Sequence, residues 1–201
     1  MMGTEEKVRK IKRSFRLYMN GEAARSMREK GLDYKLIWGV QLGNLKAMAA
    51  EYGHDYDLAV ALWEENIREC KILAMLIMPV AGMTKPLAES WVKDIRTLEA
   101  AELCTFTLFR HLPFAKALAC EWIESENPLT RICAYHLFSR LFSADLCSDD
   151  ELVQRVLHSV EKDIVSLDAS LRHAASNCLN HFMSVGSECE AKGEAILDKL
   201  Q

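Results

Sequence analysis

Half of the 201 residues are hydrophobic and 27% are charged, enough to bury the core of one domain or two small ones and too apolar for wholesale disorder. Nine Gly and four Pro are too few to mark the turn that a β-sandwich or barrel needs roughly every 8–12 residues. The net charge of −4 is unevenly spread: residues 1–35 carry ten Lys/Arg against five Asp/Glu, the remainder fifteen against twenty-four. That balance argues against a dedicated high-affinity nucleic-acid binder and leaves room for a local basic patch.

In chain order, the first element is a basic amphipathic helix. Val8, Ile11, Phe15 and Tyr18 recur at helical intervals as its apolar side, while six cations and no acid fall between Lys7 and Arg16. Lys10, Lys12 and Arg13 are the candidates there for contact with phosphate, against the plainer reading of a solvated face. With its aromatics on the apolar side, the patch offers no interleaved exposed rings, so single-strand stacking is not expected. A short second helix runs to about Arg28 and is closed by Lys30-Gly31. Trp38, within Leu36–Val40, reads as a core anchor.

From residue 42 the pattern predicts a series of helices over 42–52, 56–64, 67–78, 86–93, 95–110, 113–125, 128–143, 149–165, 168–185 and 190–200. Gly53-His54-Asp55 separates two of them. Thr84-Lys85-Pro86 and Asn127-Pro128 pair a capping side chain with an early proline, and Ser148–Glu151 has the form of a capping box. Strand-like alternation is absent, so the fold class is all-α, and no run of about 18 apolar residues can span a membrane. The polar start followed by a basic stretch has no apolar signal region, which makes the cytoplasm the expected location.

The helices echo one another. Lys71-Ile-Leu-Ala74, Arg131-Ile-Cys-Ala134 and Arg172-His-Ala-Ala175 each set a cation three residues before an alanine, early in a helix. Pairs of helices begin near 56, 86, 113 and 149, the period of two-helix repeats that stack into an α-solenoid. The chain is therefore expected to be a single domain, with basic helices over 1–40 and stacked pairs over 41–201. In such a stack Lys71, Arg131 and Arg172, with His173 beside the last, are placed to point into the groove. Arg131 and Arg172 have the alternative of pairing with Glu124 or Asp168.

The seven cysteines are scattered without a Cys-x-x-Cys pair and read as reduced, buried small hydrophobes. His173 and His181 lie two turns apart on one helix and cannot chelate one ion together, so no metal site is expected. No glycine-rich phosphate loop is present, and no cofactor is expected. Trp63 and Trp122, at equivalent places before their repeats, read as packing residues.

The stretch Ser26–Gly31, then Tyr34–Gly39, Leu58-Ala-Val-Ala-Leu-Trp63 and Arg68-Glu-Cys-Lys-Ile-Leu-Ala74 resembles the AlkD-like DNA alkylation repair proteins over roughly residues 20–185. The resemblance implies HEAT-like helix pairs, with double-stranded DNA, alkylated or not, as partner. It also implies a chemistry: excision of a cationic alkylated purine, with aromatic rings facing the sugar and a carboxylate stabilising the positive charge that develops there. The family's Trp followed four residues later by Asp is best matched by Ser90-Trp91-Val92-Lys93-Asp94-Ile95-Arg96. Here Ile95 stands at the carboxylate position and Asp94 is one residue early, a rotation of about 100° on a helix. Leu129 and Asn177 stand where the family has further tryptophans.

Three readings follow. The first is a HEAT-like DNA-binding module whose excision site is degraded or lost. The second is an active glycosylase for N3- or N7-alkylated purines, with Trp91 as the ring and Asp94 as the carboxylate. The third is a scaffold for a protein partner, suggested by the acidic balance after residue 35. Trp91 itself reads as either structural or groove-lining, and Asp94 as either that carboxylate or a cap before Ile95.

Overall fold

The computed structural model describes Gly3–Lys199, apart from the side chains of Ala144 and Asp145. The expected helix over 190–200 thus ends at a residue, Leu200, outside the described range. The chain forms two compact units, Met1–Ala88 and Glu89–Gln201.

In the first unit, α1 (Thr4–Ser14) continues as a 3-10 turn at Phe15–Leu17 and is followed by α2 (Gly21–Glu29), α3 (Leu42–Tyr52), α4 (Tyr56–Trp63) and α5 (Arg68–Ile77). Asn20 and Asp55 cap α2 and α4 by accepting from the Ala23 and Leu58 N–H groups. Val8, Ile11 and Phe15 are buried as the apolar stripe requires, and α1 packs on α4 while α3 and α4 pack on α5. Two ion pairs fasten α1 across long stretches of sequence: Lys7 to Asp55 at 2.6 Å and Lys12 to Glu65 at 2.8 Å.

The segment between α2 and α3 is held by the buried Glu69. Its carboxylate accepts from the backbone N–H groups of Trp38, Gly39 and Val40 at 3.1, 2.9 and 3.3 Å. Arg68 donates to the same carboxylate and to the Val40 carbonyl, both at 3.1 Å. Gly39 has φ +72°, and a Cβ there would lie 2.2 Å from the Asn20 carbonyl oxygen. Only glycine lets the two backbones approach this closely.

A 3-10 turn at Val80–Gly82 leads to α6 (Lys85–Asp94). The second unit continues with α7 (Leu98–Thr107) and a 3-10 turn at Phe109–His111, α8 (Ala115–Trp122), α9 (Pro128–Leu141) and α10 (Ala144–Cys147). It ends with α11 (Asp150–Asp163), α12 (Ala169–Met183) and α13 (Ser187–Asp198). α8 pairs with α9 and α11 with α12, and the second helices form a row, α7 on α9 and α9 on α12. α9 is at the centre of this unit, with every residue from Ile132 to Phe138 buried. Among the described residues the β pairing is an isolated bridge, Leu36 with Ile67, and none of the helices is long and apolar enough to cross a membrane.

The boundaries differ from the expected ones at instructive places. Asp94 ends α6 rather than capping the next helix; Thr97 performs that role, its hydroxyl accepting from Ala100 N–H at 3.2 Å. At the expected capping box the N-cap is Asp149, not Ser148, and the short α10 precedes it. Asn127 caps α9 as anticipated, accepting from Leu129 N–H at 2.9 Å. The cysteines are unpaired, and five of the seven are buried. Burial pushes the Cys70, Cys104 and Cys178 thiols well up and Cys133 to about 12, so they stay protonated and inert.

Candidate nucleic-acid interface

The site residues anticipated from sequence fall into separate groups. Trp91 and Asp94 lie on α6, but Trp91 is only 2% exposed. With Ala88, Val92 and Ile95 it forms a buried i, i+3, i+4, i+7 stripe. Its ring therefore belongs to the core and presents no face to a sugar, which corrects the groove-lining alternative. Asp94 is half-buried, with Arg96 at 3.8 Å. Trp63 and Trp122 are buried as packing residues, and Trp38 is half-buried with the Arg16 guanidinium 5.9 Å from its ring centre.

The repeated cations act largely as braces. Arg131 donates to the Ser125 carbonyl at 2.7 Å, and Arg172 donates to the Ser166 carbonyl at 2.6 Å. In both loops the serine hydroxyl accepts, at 3.2 Å, from the N–H of the capping residue two positions on, Asn127 or Asp168. The recurring Ser-x-Asn/Asp-x-x-x-Arg pattern is thus a loop closing on its own helix. Arg131 is further engaged by Asp163, at 2.9 and 3.3 Å, and not by Glu124, which pairs with Arg155. Asp168 serves as the N-cap of α12 rather than as an ion-pair partner of Arg172. Arg172 and His173 remain exposed. Lys71, half-buried, stands over the Trp63 ring at 4.3 Å.

On α1 the cations divide by partner. Lys12 is tied to Glu65. Arg9, Lys10 and Arg13 line the solvent side together with Glu6. Lys10 and Arg13 are exposed, and among the described residues neither has an ion-pair partner. Arg16 is also exposed. Among the described residues no exposed ring is interleaved with these cations, but one follows directly after them. Phe15 takes the last buried position of the apolar side, and Tyr18, just past the end of the 3-10 turn, is 44% exposed.

The row of second helices gathers a cluster that no local spacing announces: Glu102 and Phe106 on α7, His136 and Arg140 on α9, and His173 on α12. The Phe106 and His136 rings are 4.9 Å apart, and the Arg140 guanidinium lies 5.7 Å from the Phe106 ring centre. Burial pushes the Glu102 carboxyl up, with His173 opposing and Glu99 adding. His136 is 6% exposed, and neither of its ring nitrogens has a hydrogen-bond partner among the described residues. Burial, with the charges of His173 and Arg140, pushes it down to about 4. Between about pH 6.5 and 4 the unfolded chain therefore binds a proton that the folded chain refuses, so stability falls as pH falls through that window. The loss at this residue is expected to reach about 3 kcal/mol. His136→Leu should flatten that part of the stability–pH curve, read by urea titrations at pH 7, 5.5 and 4.

Among the described residues no group of three His, Cys, Asp or Glu side chains is arranged to hold a metal ion. The architecture is an all-α solenoid of HEAT-like antiparallel helix pairs. The DNA alkylation repair enzyme family matches residues 11–184, and the chain belongs to that family. A solved structure described as "a new family of proteins related to the HEAT-like repeat DNA glycosylases with affinity for branched DNA structures" shares the fold, with a TM-score of 0.77 and 16% identity over 94% of this chain and 80% of that one. No curated protein matches significantly.

Proposed function

We propose that this protein binds DNA through its sugar-phosphate backbone and does not excise bases. The observation that supports the reading is the solvent side of α1, where Lys10 and Arg13 are exposed without ion-pair partners among the described residues and Arg16 continues the charge. Lys/Arg side chains in this state bind phosphates by releasing condensed counterions, without reading sequence. Family membership and the fold shared with a protein described as having affinity for branched DNA point to the same partner. The enclosed ring of Trp91 weighs against excision, because the chemistry that the resemblance implies sets an exposed aromatic face beside the sugar. Seven unpaired cysteines suit a reducing compartment, in keeping with a cytoplasmic setting.

A salt-varied binding titration tests this. Each lost phosphate contact lowers the slope of log K against log salt by about 0.9, so Lys10→Ala/Arg13→Ala/Arg16→Ala should flatten it by about 2.7. Between 50 and 200 mM salt the wild type should then lose about 40-fold more affinity than the variant. Equal slopes would remove α1 from the interface, and absence of DNA binding at low salt would remove the reading. Free base released from methylated duplex would restore the glycosylase alternative, with Asp94→Asn as its test.

A further inference from the structure

Directly after the cationic side of α1 come three consecutive large apolar residues that face solvent: Leu17 at 80% exposure, Tyr18 at 44% and Met19 at 58%. Apolar residues scattered singly on a surface are ordinary, whereas contiguous exposed ones point to a contact surface. We propose that this corner is a wedge that inserts into an opened base step of DNA, with Tyr18 stacking on the exposed base. The proposal rests on the DNA-binding reading and specifies its substrate class: DNA with an unpaired or unstacked step, as at a branch point.

Charge complementarity selects the occupant. With about 100° per residue in the α-helix and 120° in the 3-10 turn, Lys10, Arg13, Arg16 and Leu17 fall within an arc of about 120°. A polyanion held by those cations is thereby laid alongside Leu17, which Tyr18 and Met19 follow directly in the chain. Nucleic-acid proteins that open a step combine these two parts, backbone cations and an apolar or aromatic side chain placed between bases.

The corner is also held in place. Phe15 is wholly buried behind it, and Tyr18 N–H donates to the Phe15 carbonyl at 3.1 Å. On the other side Asn20 N–H donates to the Trp38 carbonyl at 3.0 Å, while the Asn20 side chain caps α2. The short run between Phe15 and Asn20 is fixed at both ends, so little ordering is required when it meets its partner.

The test compares a four-way junction carrying 2-aminopurine at the branch with a linear duplex of the same base composition. The wild type should prefer the junction, and binding should change the 2-aminopurine fluorescence. Leu17→Ser/Tyr18→Ser/Met19→Ser should reduce the junction-to-duplex affinity ratio by about 5- to 150-fold, the worth of one base stacked on a ring. Tyr18→Trp should keep the preference. A wild type that binds both DNAs with an unchanged ratio in the serine variant overturns the wedge and leaves the DNA-binding reading standing. A wild type that binds neither DNA at low salt overturns both. Binding to phosphatidylglycerol vesicles that depends on these residues, without a junction preference, assigns the corner to a membrane surface and overturns the wedge.

Discussion

Glu69→Ala is expected to destabilise the protein by about 3–5 kcal/mol, the cost of removing one partner from a buried charged pair. Glu69 is wholly buried, and its carboxylate is the acceptor for three consecutive backbone N–H groups as well as for Arg68. Alanine would take the acceptor from three backbone N–H groups, those of Gly39 and Val40 buried, and from one of the bonds of Arg68, and would release the Trp38–Val40 segment from the start of α5. The double variant Arg68→Met/Glu69→Met separates two causes. If the ion pair dominates, replacing both charges recovers most of the loss. If the backbone donors dominate, as the geometry indicates, it recovers little. Urea denaturation at pH 7 reads the outcome as a lower midpoint at unchanged m-value.

A comparable loss is expected in the second unit for Asp163→Ala. Asp163 is 3% exposed and receives the Arg131 guanidinium in two bonds and the Tyr135 hydroxyl at 2.8 Å. Removing it leaves a nearly buried cation and a buried hydroxyl together, again about 3–5 kcal/mol. Tyr135→Phe removes one bond to the carboxylate and keeps the ion pair, so its cost should be smaller, about 1.5–3 kcal/mol. A double-mutant cycle between Arg131→Ala and Asp163→Ala should give a coupling well above 1 kcal/mol, whereas exposed pairs give less than that. Additive effects would show that Arg131 is not the brace its bonds describe.

The helices were legible in the sequence where their signals are local. Gly53 ends α3, and Asn127-Pro128 opens α9, each at the residue expected. The start of α7 was obscured because Asp94, itself a good cap, precedes the true cap Thr97 by three residues. The site was less legible, because it depends on which helices meet. Arg131 and Arg172 were conspicuous as a repeat, and what the structure shows repeating is the loop closure. Trp91 was set among polar neighbours, but the stripe it shares with Ala88, Val92 and Ile95 already described a buried face. Glu102, Phe106, His136, Arg140 and His173 come from three helices, and their meeting follows from the stacking of α7, α9 and α12. Tyr18 carried the correct period for burial, and only the place where the core ends turns it outward.

The fastening of α1 to Asp55 and Glu65 spans 48 and 53 positions of the chain. While the nascent polypeptide leaves the ribosome, Val8, Ile11 and Phe15 have no cover until α4 has emerged. During that interval the first helix is a cationic, amphipathic segment open to chaperones and to any polyanion nearby. Docking onto α4 ends that exposure, so a helix made well before its partner waits for that partner to reach its final place.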